Sequence, residues 1–73
     1  MEKNQPKAAI SLFNKILKQN ESDEEVLLNK GLALNQIKKY SDAITCFDKL
    51  IESDPKNAQA LNNIGISIAE NGN

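Results

Sequence analysis

The chain has 73 residues, enough for one small domain, with nine lysines, no arginine, ten acidic residues and a net charge of −1. This balance gives no electrostatic argument for a nucleic-acid-binding protein, which normally has a basic face. A single cysteine and no histidine exclude the usual zinc ligand sets and the commonest general base. We therefore expect no catalytic residues, no cofactor, no metal site and no nucleic-acid partner.

The apolar residues are dispersed along the whole chain. No uninterrupted apolar run exceeds three residues, whereas a membrane-spanning helix needs about 20. Residues 1–20 lack the pattern of a secretion signal, and Cys46 has no second cysteine with which to form an internal disulfide. We expect a cytoplasmic protein without membrane insertion.

Four helices are predicted in chain order, over about residues 6–20, 24–38, 41–53 and 58–70. The first and third, called type B, carry apolar residues with the i, i+1, i+4, i+7, i+8 spacing of a single helical face. The second and fourth are called type A. Pro6 suits the first turn of the first helix, because proline lacks only an amide that would have no partner there.

Capping signals support these boundaries. Ser22-Asp23-Glu24-Glu25 is a capping-box pattern, and Ser41 and Asn57 are candidate N-caps of the third and fourth helices. Asp54-Pro55 should end the third helix, because the residue before proline avoids helical geometry. Asn71-Gly72-Asn73 should end the fourth.

The sequence repeats itself after 34 residues. "LLNKGLALNQIKK" (27–39) aligns with "LNNIGISIAENGN" (61–73), sharing leucine, asparagine and glycine at equivalent positions. The same shift aligns "AAISLFNKIL" (8–17) with "DAITCFDKLI" (42–51). A fixed period of this length indicates a stacked-repeat architecture.

In these features the chain resembles the tetratricopeptide repeats. Residues 24–57 resemble one full repeat, residues 1–23 the second half of a preceding repeat, and residues 58–73 the first half of a following one. The signature positions of the full repeat hold Leu27, Gly31, Leu34, Tyr40, Ala43, Phe47 and Pro55. The resemblance implies an all-α fold in which antiparallel helix hairpins stack as a short right-handed α-solenoid.

Close helix packing is expected at the glycine of the full repeat. Because Gly31 has no side chain, it should let its helix approach Ala43 of the third helix, at a cost of about 1 kcal/mol in helix propensity. Leu34, Phe47 and Tyr40 should fill the space around this contact. Their spacing indicates core packing rather than ligand binding.

The resemblance further implies a function, because the type A helices of these repeats line a concave groove that receives an extended peptide. Asn29 and Asn63 match the groove asparagine of the family, and an amide offers both a donor and an acceptor to a ligand backbone. The flanking groove positions are Leu28, Leu32, Asn35, Gln36, Asn62, Ile66 and Glu70. Alternatively, the two asparagines are merely solvated or bond neighbouring helices. The groove lacks the cations that grip acidic tails, which favours uncharged or basic segments of a protein ligand.

A second hypothesis is homotypic self-assembly into a homo-oligomer. The last helix carries an apolar face for which no covering type B helix follows, and the first helix carries the complementary face. We expect the last helix of one copy to pack on the first helix of another, with Gly65 against Ala9. The self-association residues are Ala9, Phe13, Ile16, Leu61, Ile64, Gly65 and Ile68.

Three other features have simpler explanations than chemistry. Cys46 lies beside the type B stripe, where a free cysteine usually packs as a small hydrophobe. Tyr40 begins a helix and should pack against it. The acidic run from Glu21 to Glu25 precedes and opens a helix, where negative charge complements the helix dipole.

Overall fold

The computed structural model describes residues 6–21 and 23–72, which form four α-helices and no strand. They are α1 (Pro6–Gln19), α2 (Glu24–Gln36), α3 (Tyr40–Ser53) and α4 (Ala58–Asn71). The starts of α1 and α3, and those of α2 and α4, are both offset by 34 residues. The all-α class predicted from the sequence is confirmed. Of the described helices, none combines the length and apolarity needed to cross a bilayer.

Consecutive helices pack on each other, so α2 contacts α1 and α3, and α3 contacts α4. The two type A helices, α2 and α4, also touch. The two type B helices are farther apart, since within the described residues no Cα atom of α1 lies within 8 Å of a Cα atom of α3. One face of the molecule therefore has adjoining helices, and the other has a gap.

A side-chain hydrogen bond caps the N-terminus of each type A helix. Asp23 Oδ1 accepts a hydrogen bond from the backbone amide of Val26 at 3.2 Å. Asn57 Oδ1 accepts one from the amide of Ala60 at 2.9 Å, which confirms its predicted role. Each bond satisfies an amide that has no partner within the helix. Ser22 of the predicted capping box lies outside the described residues.

The predicted N-cap at Ser41 is wrong, because α3 begins at Tyr40. The connection before it is a Schellman motif, in which Lys39 donates to the carbonyl of Leu34 at 2.8 Å and Lys38 to that of Asn35 at 3.0 Å. Lys38 adopts φ 65°, the left-handed conformation that this motif requires. The turn is complete at Lys39, which occupies the N-cap without a side-chain bond. Ser41 therefore falls inside the first helical turn.

The helix ends near Asp54 and Gly72 agree with the sequence. The amide of Asp54 caps α3 by donating to the carbonyl of Leu50 at 2.8 Å, directly before Pro55. At the end of α4, Gly72 donates to the carbonyl of Ile68 at 2.9 Å. Its φ of −75° is right-handed, so this glycine is not used for a left-handed cap.

Two apolar clusters form the core. The first core cluster consists of Leu34, Ala43, Cys46 and Phe47, with Ile10, Leu28, Leu32, Ile37 and Ile64 packed around it. The second consists of Leu27, Leu50 and Ala60, with Leu17, Leu28 and Ile51 around it. Leu28 contacts both clusters, so α2 is the central element of the core.

Gly31 does provide a close contact, although the nearest partner is not the predicted Ala43. A Cβ atom built on Gly31 would lie no more than 3.0 Å from three ring carbons of Phe47. Phe47 is fully buried in the first core cluster. The glycine therefore makes room for an aromatic ring rather than for a small side chain.

Candidate functional site

The predicted groove residues all lie on α2 and α4, the two type A helices that touch. Their side chains differ in exposure. Those exposed to solvent are Asn29, Gln36, Asn62, Ile66 and Glu70. Those half-buried are Leu28, Leu32, Asn35 and Asn63. The surface thus combines accessible polar groups with partly covered apolar ones.

The apolar part of this surface is continuous with the core. Leu28 and Leu32 pack against the first core cluster while remaining partly accessible. Ile66 adds an exposed apolar side chain from α4. A ligand side chain that covers these three residues would gain about 25 cal/mol for each Å² of apolar surface removed from water.

The two groove asparagines have free side-chain amides. Within residues 6–21 and 23–72, the side-chain hydrogen bonds include neither the amide of Asn29 nor that of Asn63. Each amide therefore retains two donors and one acceptor oxygen. Both asparagines were predicted from the sequence as ligand-binding residues, and that role stays a prediction.

Sequence reasoning missed Ser67, a fully buried residue of α4. Its hydroxyl oxygen lies 2.8 Å from Oδ1 of Asn35 and 2.9 Å from the backbone carbonyl of Asn63, and its one proton serves either acceptor. The 34-residue repeat could have indicated that Ser67 is buried, because the equivalent residue in α2 is Ala33, which is also buried. Small residues at both positions let the neighbouring helix approach.

The Ser67 bond changes what Asn35 can contribute. Its side-chain oxygen lies within hydrogen-bond distance of the Ser67 hydroxyl, and its amide nitrogen takes part in none of the side-chain hydrogen bonds of the described residues. The bond also joins the two helices that carry Asn29 and Asn63. Asn35 therefore links α2 to α4, and its place in a peptide-binding groove stays a prediction.

The predicted self-association residues form two partly open faces. On α4, Ile68 is 55% and Leu61 51% exposed, and no atom lies within 4 Å of a Cβ atom placed on Gly65. On α1, Ile16 is 44% exposed, while Ala9 and Phe13 are half-buried. Ile64 differs from the expectation of an uncovered residue, because it packs on the first core cluster of its own chain.

The reactive candidates are structurally explained. Cys46 is 6% exposed, and desolvation by burial raises the pKa of its thiol, although the nearby Lys30 lowers it in part. The thiol thus stays protonated and behaves as an apolar group. In the acidic run, Asp23 caps α2, and Glu24 and Glu25 lie in its first turn. The described residues contain no group of acids and cysteine suited to a metal ion.

Comparison with known proteins identifies the repeat. The family model described as "Tetratricopeptide repeat" matches residues 1–62, which is most of the chain. The chain belongs to the tetratricopeptide repeat family. Membership in this family indicates a module for protein–protein interaction. Among solved structures, none matches the chain significantly.

Two plant proteins share this tetratricopeptide segment. The chain is 31% identical over 64 residues to "Probable UDP-N-acetylglucosamine--peptide N-acetylglucosaminyltransferase SPINDLY" of Hordeum vulgare. It is 34% identical over 64 residues to the protein of the same name from Arabidopsis thaliana. Each match covers 88% of this chain but 7% of the relative's length. The similarity therefore concerns the repeats.

Proposed function

We propose that this chain is a scaffold module of the tetratricopeptide type, in which the α2–α4 groove binds an extended segment of a partner protein. The groove is the concave face carrying Asn29 and Asn63. The observation that supports it best is the unoccupied amide of each of these residues on two adjoining helices. The proposal includes the division into a half repeat (1–23), a full repeat (24–57) and a half repeat (58–73).

Peptide recognition follows from the chemistry of the groove. Amide side chains pair with the backbone of a ligand whatever its sequence, while Leu28, Leu32 and Ile66 offer apolar contacts to its side chains. Glu70 is the charged member of the predicted set and is exposed. A groove of this character favours uncharged or basic segments over acidic ones.

Binding rather than catalysis is the activity we assign to this segment, and a cytoplasmic location is part of the same proposal. The transferase activity in the names of the plant relatives is that of much longer chains, of which this chain matches 7%. In such a chain, a repeat segment would select or hold the protein on which another part acts. In isolation, we expect it to bind without chemical conversion.

Replacing Asn29 and Asn63 together with alanine should weaken peptide binding by about tenfold or more, because two hydrogen-bonding groups are lost. The free energy of unfolding should change by no more than about 0.5 kcal/mol, as for other accessible substitutions. Binding is measured by titration with a fluorescent peptide selected on the wild-type protein from a random library. Stability is measured by thermal melting.

The matched control replaces Asn20 and Asn71, which are exposed asparagines outside the groove. This variant should bind the selected peptide as tightly as the wild type. A large loss of stability in the Asn29/Asn63 variant would make both residues structural and contradict the proposal. Unchanged peptide affinity would contradict it as well.

A second candidate function is homotypic self-assembly, which the exposed apolar residues of α4 and α1 favour. Leu61, Ile68 and Ile16 are large, apolar and about half-exposed, and Gly65 offers a position for close approach. The proposed occupant of the α4 face is α1 of a second copy. Because the two faces differ, the contact is head-to-tail and produces a ring or a filament unless helices are exchanged. In a longer array, neighbouring repeats would cover the same faces.

The variant that tests self-assembly replaces Leu61 and Ile68 with glutamate. Both residues are exposed, whereas Ile64 packs on the core and its replacement would damage the fold itself. Sedimentation should show association of the wild type as its concentration increases to about 1 mM, and a monomer for the variant. Ser11→Glu, which changes an exposed residue on the opposite side of α1, should leave association intact. A monomeric wild type throughout the series would reject self-assembly.

A further inference from the structure

A concave surface lies between α1 and α3, away from the α2–α4 groove. The backbones of these helices stay apart, since no Cα atom in the described part of α1 lies within 8 Å of a Cα atom of α3, and two depressions remain above α2. Their volumes are about 440 and 380 Å³. Both are lined by Asn14, Lys30, Thr45 and Cys46, so they form one continuous surface, called here the α1–α3 cleft.

Positive charge is concentrated in this cleft although the chain as a whole is slightly acidic. Among the described residues, its lining contains five lysines: Lys7 and Lys39 in one depression, Lys18 and Lys49 in the other, and Lys30 in both. The same lining contains two acidic residues, Asp42 and Glu21. The net charge of the chain is −1. The cleft is thus a cationic region on an otherwise acidic surface.

The floor of the cleft is apolar. Ile10, Leu34 and Ile37 line the first depression, and Leu17 and Leu27 line the second. The protonated thiol of Cys46 adds a neutral group to both. Flexible lysines around an apolar floor suit a ligand that carries negative charges and apolar side chains together.

The cleft is separate from the α2–α4 groove. Along α2, Leu27, Lys30 and Leu34 face the cleft, while Leu28 and Leu32 belong to the groove. At about 100° per residue, these two sets lie on nearly opposite sides of the helix. A ligand in the cleft therefore leaves the groove accessible.

We propose that the α1–α3 cleft docks an acidic peptide segment of a partner protein. Its carboxylates pair with lysines at both ends of the cleft, and its apolar side chains occupy the two depressions. This inference goes beyond the groove function, since the two surfaces favour ligands of opposite charge. A protein carrying both kinds of segment, or two different proteins, would bind to both sides of the module at once.

Charge and composition favour a peptide over a nucleic acid as the occupant. The described lining contains no aromatic side chain on which a base would stack, and the chain has no arginine. Phosphate backbones are usually bound by proteins with a positive domain charge, whereas this chain carries −1. The apolar floor would meet no apolar counterpart on a phosphate backbone.

The test uses a fluorescein-labelled peptide of glutamate and leucine, matched in length to the 14 residues of α1. A second peptide carries glutamine in place of every glutamate. The acidic peptide should bind more tightly than the neutral one, and its affinity should decrease as salt screens the lysines. Lys18→Glu combined with Lys49→Glu should weaken its binding by about tenfold or more.

The matched control is Lys15→Glu combined with Lys56→Glu. It changes the net charge by the same amount through two lysines that do not line the cleft. All four lysines are exposed, so both variants should keep the helical content and melting curve of the wild type. The control should reduce affinity by less than about twofold. In amide-resolved NMR, the acidic peptide should shift the resonances of Asn14, Thr45 and Cys46.

Four outcomes would overturn the proposal. The first is no binding of the acidic peptide at about 1 mM. The second is equal loss of affinity in the two variants, which would make net charge the cause. The third is a set of NMR shifts confined to the α2–α4 groove. The fourth is tighter binding of a single-stranded oligonucleotide that the Lys18/Lys49 variant abolishes, which would assign the cleft to nucleic acid.

Discussion

Replacing Gly31 with leucine is expected to lower the free energy of unfolding by about 3 kcal/mol or more. Three ring carbons of Phe47 occupy the space that the new side chain needs, and Phe47 is itself fully buried. In a domain of this size, each 1 kcal/mol shifts the melting temperature by about 4–8 °C. Circular dichroism should therefore show a large decrease in melting temperature. An unchanged melting curve would contradict the packing of α2 on α3.

Gly65, the equivalent residue of the next repeat, provides the control. No atom lies within 4 Å of a Cβ atom placed there. Gly65→Ala should therefore stabilise the protein by about 0.5–1 kcal/mol through improved helix propensity. Gly31→Ala gains the same propensity but places its methyl group against the Phe47 ring, so the net effect should be destabilising. If the two alanine variants change the free energy of unfolding in opposite directions, the effect at Gly31 comes from the contact with the Phe47 ring and not from the low helix propensity of glycine.

Replacing Leu27 with alanine is expected to lower the free energy of unfolding by about 2–5 kcal/mol. Leu27 is 3% exposed and packs in the second core cluster with Leu50 and Ala60. Leu61 holds the same repeat position on α4 but is 51% exposed. Leu61→Ala should therefore cost less than about 1 kcal/mol in dilute solution. If Leu27→Ala and Leu61→Ala lower the free energy of unfolding by similar amounts, this would contradict the finding that Leu27 is buried and Leu61 is exposed.

The Leu61 variant also bears on self-assembly. If the α4 face binds α1 of a second copy, Leu61 becomes buried in the oligomer, and the cost of its replacement increases with protein concentration. If the protein functions only through its groove, the cost stays the same at every concentration. Melting curves of the same variant at two concentrations thus distinguish the two candidate functions.

The helix boundaries followed from local signals in the sequence. All four predicted helices agree with the structure to within two residues at each end. Asn57 and Asp54-Pro55 act through their immediate neighbours, so their effect is visible in the sequence. The turn before α3 was missed because a lysine, Lys38, holds the left-handed position where glycine is the usual signal.

Contacts between helices were harder to predict. The 34-residue period indicates which helices are equivalent, but the distance between α2 and α4 depends on how they pack. The bond between Ser67 and Asn35, and the Phe47 ring against Gly31, arise only at that stage. The cationic cleft combines lysines from three helices that look like ordinary solvated residues in the sequence. The positive charge of the cleft could be recognised only once the structure showed that the backbones of α1 and α3 lie apart and that these lysines line the space between them.

Binding of a peptide in the α2–α4 groove can be followed residue by residue with amide-resolved NMR. The wild-type protein is titrated with the peptide selected from a random library, and the side-chain amide resonances of Asn29 and Asn63 are followed. If the groove binds the peptide, both resonances should shift and saturate with the same affinity as the fluorescence titration. Shifts confined to the exposed α4 face at Leu61 and Ile68, with Asn29 and Asn63 unaffected at saturation, would contradict it.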